Sequence, residues 1–309
     1  MSQHSSIEGS SYTCLKRGAA DDGADVSLFV WRKQAKAQLN LRRPPVLLVH
    51  GSSMSALPTY DLSVPGLSDY SFMDWLALRG YDVWTLDHEG YGRSTVTKNN
   101  SDIACGADDL EVISRFIMNE TGHPTLNVYG LSSGALRAAL FATRFPDRVS
   151  KLVLDGFVWT GKDSPTLAKR KENIAFFQEN TRRPISHEFI SSIFTRDMPG
   201  TTDPAVATAC ASAELAYGSS VPTGSYLDMT TKLPLVDPTA LKVSTLIVRG
   251  EHDGIATAID QLNFFEKIES SCKQFSILPD LAHVTPLGIH RKVLWNTVKN
   301  FFEADLAIE

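Results

Sequence analysis

The sequence predicts an α/β fold built on a mainly parallel, doubly wound sheet. Three observations predict it. Short, continuous apolar runs of strand length recur along the 309 residues, and a strand that is apolar on both sides belongs inside a parallel sheet covered by helices. Segments with apolar residues spaced three and four apart lie between those runs. The regular alternation of the two patterns is that of strand–helix–strand crossovers.

In chain order, Tyr12 to Lys16 and Val26 to Arg32 are faint strand candidates. Pro45 to His50 (PVLLVH), closed by Gly51, reads as the first fully buried strand. Tyr81 to Asp87, Leu126 to Gly130, Lys151 to Asp155 and Ser244 to Gly250 repeat that pattern, and Gln274 to Leu278 is a less apolar last strand. Met73 to Arg79 is a short apolar helix. Asp108 to Glu120 sets Leu110, Ile113, Phe116 and Ile117 on one helical face, and Ser133 to Phe145 is rich in Ala and Leu. Leu294, Val298, Phe301 and Phe302 form the stripe of a terminal helix.

The alternation breaks between Asp155 and Ser244, where only helices and loops are predicted. Asp203 as N-cap, Pro204 at the first helical position and Gly218 at the stop delimit one helix. Ile190, Ile193 and Phe194 mark another. Residues 157–242 therefore read as a helical cap inserted between the sixth and seventh core strands, leaving 1–156 and 243–309 as the core domain. A structureless connection of that length is rare, and insertions near strand ends tend to cover sites.

Composition narrows the function classes. With 43% hydrophobic and 21% charged residues, disorder and rod-like folds are excluded. Thirty basic against thirty-five acidic residues give a net charge of −5, so no field exists to hold nucleic acid or an anionic membrane. Met1 to Ser11 lacks the apolar core of a secretion signal, and no apolar run of about 18 residues is present. The expectation is a soluble, cytoplasmic protein without membrane or nucleic-acid partners, compatible with a homodimer. The cysteines (Cys14, Cys105, Cys210, Cys272) lack metal-ligand spacing, and the histidines have no carboxylate clusters, so neither metal nor cofactor is expected.

Gly130-Leu131-Ser132-Ser133-Gly134 carries the chemistry. G-x-S-x-G alone is a weak motif, but here it follows a buried strand and opens a helix, the context it requires. The bland alternative, a serine capping a helix, has no need of both glycines. Ser132 would be raised above the sheet edge, with the amides at the helix start beside it to stabilise developing negative charge.

From these residues the chain resembles the α/β-hydrolase superfamily over nearly its whole length. His50-Gly51 stands where that family places its oxyanion loop. Asp87-His88-Glu89-Gly90-Tyr91-Gly92-Arg93-Ser94 is similar to its D-x-x-G-x-G-x-S turn, and the insertion falls where its lid does. The family's order of serine, acid and histidine implies Asp253 after the strand STLIVRG and His283 after QFSIL. Asp155 occupies the acid position of some relatives and is the competing candidate. Glu251 and His252 read as neighbours of the acid rather than participants, and His50 as structural. The resemblance implies an oxyanion hole from the amides of Ser133 and Ser52, with Ser53 in reserve. The loop is Gly-Ser-Ser-Met rather than a glycine run, and Ala135 replaces a common glycine; neither change removes an amide.

A serine nucleophile disfavours the dehalogenase and epoxide hydrolase branches, which use aspartate. What the resemblance implies is acyl transfer to water through a Ser132–His283–Asp253 triad, acting on a small-molecule carboxylic ester, an aryl ester or a dicarboxylic monoester. Lactones need the same parts. A ligand receptor on a hydrolase scaffold is the alternative from another class. Met54, Leu131, Phe157 and Trp159 are the expected pocket residues, though Phe157 and Trp159 equally suit packing of cap on core. Between residues 157 and 200, seven basic residues (Lys162, Lys169, Arg170, Lys171, Arg182, Arg183, Arg196) face five acidic ones. A solvated helix face explains this most simply, and an anionic substrate is the sharper reading.

Overall fold

The computed structural model describes residues 6–20, 22–270 and 272–304. Among the described residues there are ten strands: β1 (Ile7–Lys16), β2 (Val26–Ala35), β3 (Val46–Val49), β4 (Val83–Leu86), β5 (Leu126–Leu131), β6 (Val149–Asp155), β7 (Arg182–Pro184), β8 (Ser220–Pro222), β9 (Ser244–Gly250) and β10 (Lys273–Leu278). Eight of them form one sheet in the order β1-β2-β4-β3-β5-β6-β9-β10. β1, β2 and β4 pair antiparallel, and every pairing from β4 to β10 is parallel. This is the predicted α/β class.

The buried strands behave as their composition demands. β3 sends Leu47 and Val49 into one apolar layer and Val46 and Leu48 into the other. Helices Ile103–Thr121 and Ser133–Arg144 cover the first layer; Phe72–Ala77 and Arg291–Glu303 cover the second. β1 extends five residues before the predicted start, because it is a largely exposed edge strand held by ladder bonds to β2 rather than by an apolar face.

Between β6 and β9 lie the helices Pro165–Lys171, Ile174–Glu179, His187–Ile193, Pro204–Leu215 and Gly224–Thr231. Asp203 caps its helix by accepting from the Ala205 amide, with Pro204 at the first position. The strand-free expectation is corrected here, since β7 and β8 pair antiparallel within this segment. Both are three residues long and contain proline, too short for any alternation to register in the sequence. Ile190, Ile193, Phe194, Val206 and Cys210 pack with Met54, Tyr91, Val284 and Leu287 from loops of the sheet. The two ends of the segment, through Phe157, Val158, Met229, Val236 and Leu241, merge with the apolar layer of the sheet itself.

Candidate active site

The carboxyl ends of β3, β5, β9 and β10 bring Ser52, Ser132, Asp253 and His283 to one place. Ser132 sits between β5 and the helix Ser133–Arg144 with φ 58° and ψ −123°. A non-glycine residue held there stores on the order of 1–3 kcal/mol of strain. The surrounding backbone enforces it: the Ser132 amide donates to Asp155 O at 2.8 Å. A Cβ on Gly130 would collide with the Gly134 backbone, and one on Gly134 with the carbonyls of Val49 and His50. Both glycines are therefore required by close approach, as the motif implies.

The acid and the histidine meet. His283 Nδ1 lies 2.8 Å from Asp253 Oδ2, and both residues are buried. Asp253 Oδ1 accepts from the amides of Ile255 (2.8 Å) and Ala256 (3.0 Å). Burial opposes charge on Asp253, yet the adjacent His283 and these two amides outweigh it and hold the carboxyl below its ordinary range. Arg249 fixes the turn from beneath, donating to Ala256 O at 3.1 Å and Asp253 O at 2.9 Å. Gly156, at φ 57°, leaves room for the pair, since a Cβ there would lie 3.0 Å from His283 Cε1 and 3.2 Å from Asp253 Oδ2.

Asp155 is engaged elsewhere. Its Oδ2 accepts from Tyr129 Oη at 2.5 Å and from the Thr285 hydroxyl. Burial pushes this carboxyl up to about 7. His50 is also structural: Nδ1 faces Gly51 O at 2.7 Å and Nε2 accepts from the His88 amide at 3.1 Å. Glu251 and His252 lie outside the cleft, in a partly exposed group with Asp280. A second group of potential ligands, Glu89, Cys105 and Asp109, already holds the Lys16 ammonium, 2.6 Å from each carboxylate.

A narrow cleft of about 40 Å³ is lined by Ser132, His283, Gly51, Ser52, Ser53, Met54 and Leu131, together with Ile193, Arg170 and Arg196. No hydrogen bond joins Ser132 Oγ to His283 among the described residues. Such contacts are often loose before substrate binds. The Ser52 and Ser133 amides are engaged by no acceptor among the described residues, so both remain available to an incoming oxyanion. A surface groove of about 690 Å³ beside Lys33, Trp75 and Trp295 is far larger but contains none of these residues.

Residues 66–287 match the family described as serine aminopeptidase, S33. The chain belongs to this family of α/β-hydrolases. No curated protein sequence matches the hydrolase significantly. Among solved structures, it is similar to an esterase from Thermogutta terrifontis, with 20% identity, TM-score 0.66, and 94% of this chain and 97% of that chain covered. A bromoperoxidase from Bacillus anthracis gives 17% identity and TM-score 0.68, covering 96% of this chain and 100% of that one. An enol-lactonase from Burkholderia xenovorans LB400 gives 18% identity and TM-score 0.62, covering 93% and 99%. At these identities the likeness is one of fold. Among the described residues, no helix of the hydrolase is long and apolar enough to cross a membrane.

Two expected pocket residues lie elsewhere. Phe157 is wholly buried with its ring 4.5 Å from that of Phe264. The Trp159 ring lies 5.7 Å from the same ring, tilted by 55°, and donates Nε1–H to Val236 O at 3.2 Å. Asp260 accepts from the amides of Trp159 (2.9 Å) and Thr160 (3.0 Å), turning the chain away from the cleft just past β6. Trp159 is only partly buried, so Trp159→Ala should lower stability by about 1–3 kcal/mol while leaving the butyrate-to-benzoate kcat/KM ratio unchanged. Thermal melts and paired ester assays check both halves of this expectation; a shifted ratio at unchanged melting temperature would return Trp159 to the pocket wall. Arg170, Arg196, Arg249 and Gly156 were not singled out by motif. The net positive charge of residues 157–200 was the only trace of the first two.

Proposed function

We propose that this hydrolase cleaves a carboxylic ester through Ser132, His283 and Asp253. The observation that carries the reading is the strained Ser132 in one cleft with His283, whose other ring nitrogen is bonded to Asp253. With Nδ1–H donating to Asp253, His283 Nε2 is left to take the serine proton. Ser132 Oγ then forms a bond to the ester carbonyl carbon, and the carbonyl π pair moves onto oxygen, facing the amides of Ser52 and Ser133. Collapse expels the alcohol, which leaves with the proton held by His283. Water repeats the sequence on the acyl-serine and releases the acid. Lactone opening follows the same steps with the alcohol still tethered.

Residues 157–242 act in this reading as a lid. Glu214 on helix Pro204–Leu215 accepts from the Ser55 amide (2.7 Å) and hydroxyl (2.6 Å), tying the segment to the loop beyond β3. An aminopeptidase activity, as the family description would suggest, is less well supported. Such an enzyme must hold a substrate ammonium, and no carboxylate lines the Ser132 cleft or the cavity adjoining it among the described residues.

The test is labelling with a fluorophosphonate alongside p-nitrophenyl butyrate hydrolysis. Rapid modification at Ser132, with parallel loss of turnover, is the expected result. A chain that binds esters but neither reacts nor turns over would be a receptor.

A further inference from the structure

The Ser132 cleft adjoins a larger cavity of about 460 Å³. Arg170, Ile193 and Arg196 line both spaces. Three arginines converge there from different elements: Arg170 on helix Pro165–Lys171, Arg183 on β7, and Arg196 just beyond helix His187–Ile193. The guanidinium carbons of Arg170 and Arg183 lie 3.9 and 4.0 Å from the ring centroid of Tyr226, a buried residue.

The positive charge is poorly compensated. Arg196 holds Asp197 through two bonds of 2.7 and 2.9 Å. The Arg170 guanidinium has neither hydrogen bond nor ion pair among the described residues, and it lies against the Tyr226 ring. Arg183 is only 5% exposed; its Nη2 donates to Ser52 O (2.8 Å) and Ser53 Oγ (3.0 Å), and its buried Nε has no partner. Among the described residues the three guanidiniums thus share one ion-paired carboxylate, Asp197. Desolvating cations without a counter-charge is costly, and a protein that builds such a cluster leaves a place for an anion. Tyr226 responds to the field: burial would raise its phenol, but Arg170 and Arg183 bring it down to about 8. Phe176, Phe177 and Phe189 supply an apolar wall to the same cavity.

We propose that this cluster binds a carboxylate of the substrate, so that the preferred esters are half-esters of dicarboxylic acids. The free carboxylate meets Arg170, with Arg183 and Arg196 beside it. The apolar spacer lies against the phenylalanines, and the ester carbonyl reaches Ser132 through the shared mouth. The inference rests on the serine-hydrolase reading and adds the substrate class. Guanidinium is suited to the task because its planar fork pairs with both carboxylate oxygens. Arg183 and Tyr226, which lies 3.3 Å from Ser53 Oγ, also support the loop bearing the Ser52 amide. A bound anion is therefore held in register with the oxyanion loop.

The experiment compares monoethyl phthalate with diethyl phthalate. For the unaltered enzyme, kcat/KM should favour the half-ester by more than tenfold at low salt. Arg170→Gln should reduce that preference by roughly 30- to 100-fold, chiefly through KM, as expected for removing one partner of a desolvated charge pair. Arg170→Lys should restore part of it. An unchanged ratio in both Arg170→Gln and Arg196→Gln, or an equal loss on both esters, overturns the proposal. Calorimetry of monoethyl phthalate with Ser132→Ala separates this idea from the hydrolytic one. Binding without turnover by the unaltered enzyme supports the anion site and sinks the esterase reading; no binding at millimolar half-ester overturns the anion site itself.

Discussion

Ser132→Ala is expected to lower kcat/KM for any ester substrate by roughly 10⁴- to 10⁶-fold, the range seen when a serine nucleophile is removed. The argument starts from the backbone. A serine at φ 58° carries strain that alanine would carry equally, because both have a Cβ and neither has glycine's freedom. The elbow is held by the Ser132 amide bond to Asp155 O and by the packing of Gly130 and Gly134, none of which involves Oγ. The melting temperature should stay within a degree or two while the chemistry disappears. Residual hydrolysis above the uncatalysed rate would come from the two amides and from substrate binding. A loss of only tenfold, worth about 1.4 kcal/mol of barrier, would place the nucleophile on another residue. Pre-steady-state kinetics with excess p-nitrophenyl butyrate makes the distinction, since the variant can show no acyl-enzyme burst.

Much of this arrangement was legible along the chain because it depends on local patterns. An apolar run with a glycine-serine-glycine turn and an Ala-rich helix is contiguous, so the strand, elbow and helix at Leu126–Arg144 could be read directly. Asp253 and His283 each follow a strand, and the order of strands in an α/β sheet carries their tips to one edge. What stayed hidden depends on contacts between distant segments. Gly156 is required by its φ of 57° and because Asp253 and His283, from the loops after β9 and β10, pack against it. β7 and β8 pair across 38 residues without any apolar alternation of their own. Trp159 follows a core strand, as a pocket residue would, but Asp260, about a hundred residues on, captures the amides of that turn and directs the ring onto Phe264. Arg170 and Arg183 looked like ordinary surface charge; their convergence on Tyr226 depends on how three short elements pack.

The two buried aspartates should respond in opposite ways to the same small change. Asp253→Asn is expected to cost about 10⁴ in kcat, the size of the effect when the orienting acid of a serine protease becomes an amide that favours the wrong imidazole tautomer. Here an asparagine would also lose part of its fit to His283 Nδ1, because its amide NH₂ is a donor facing a donor. Asp155→Asn should leave turnover within about tenfold, since its hydroxyl donors on Tyr129 and Thr285 can still bond to an amide oxygen. Stability against pH gives an independent readout. Asp253 is more acidic folded than unfolded, so its contribution is present above the ordinary carboxylate range and is lost as the pH falls through its depressed pKa. Asp155 is less acidic when folded: its contribution is full at low pH and declines as the pH climbs toward about 7. Removing the first charge should therefore flatten the acid limb of a melting-temperature profile, and removing the second should flatten the fall toward neutrality. If Asp155→Asn instead lost activity as Asp253→Asn does, the acid would belong to β6 and the 2.8 Å contact at His283 would be structural.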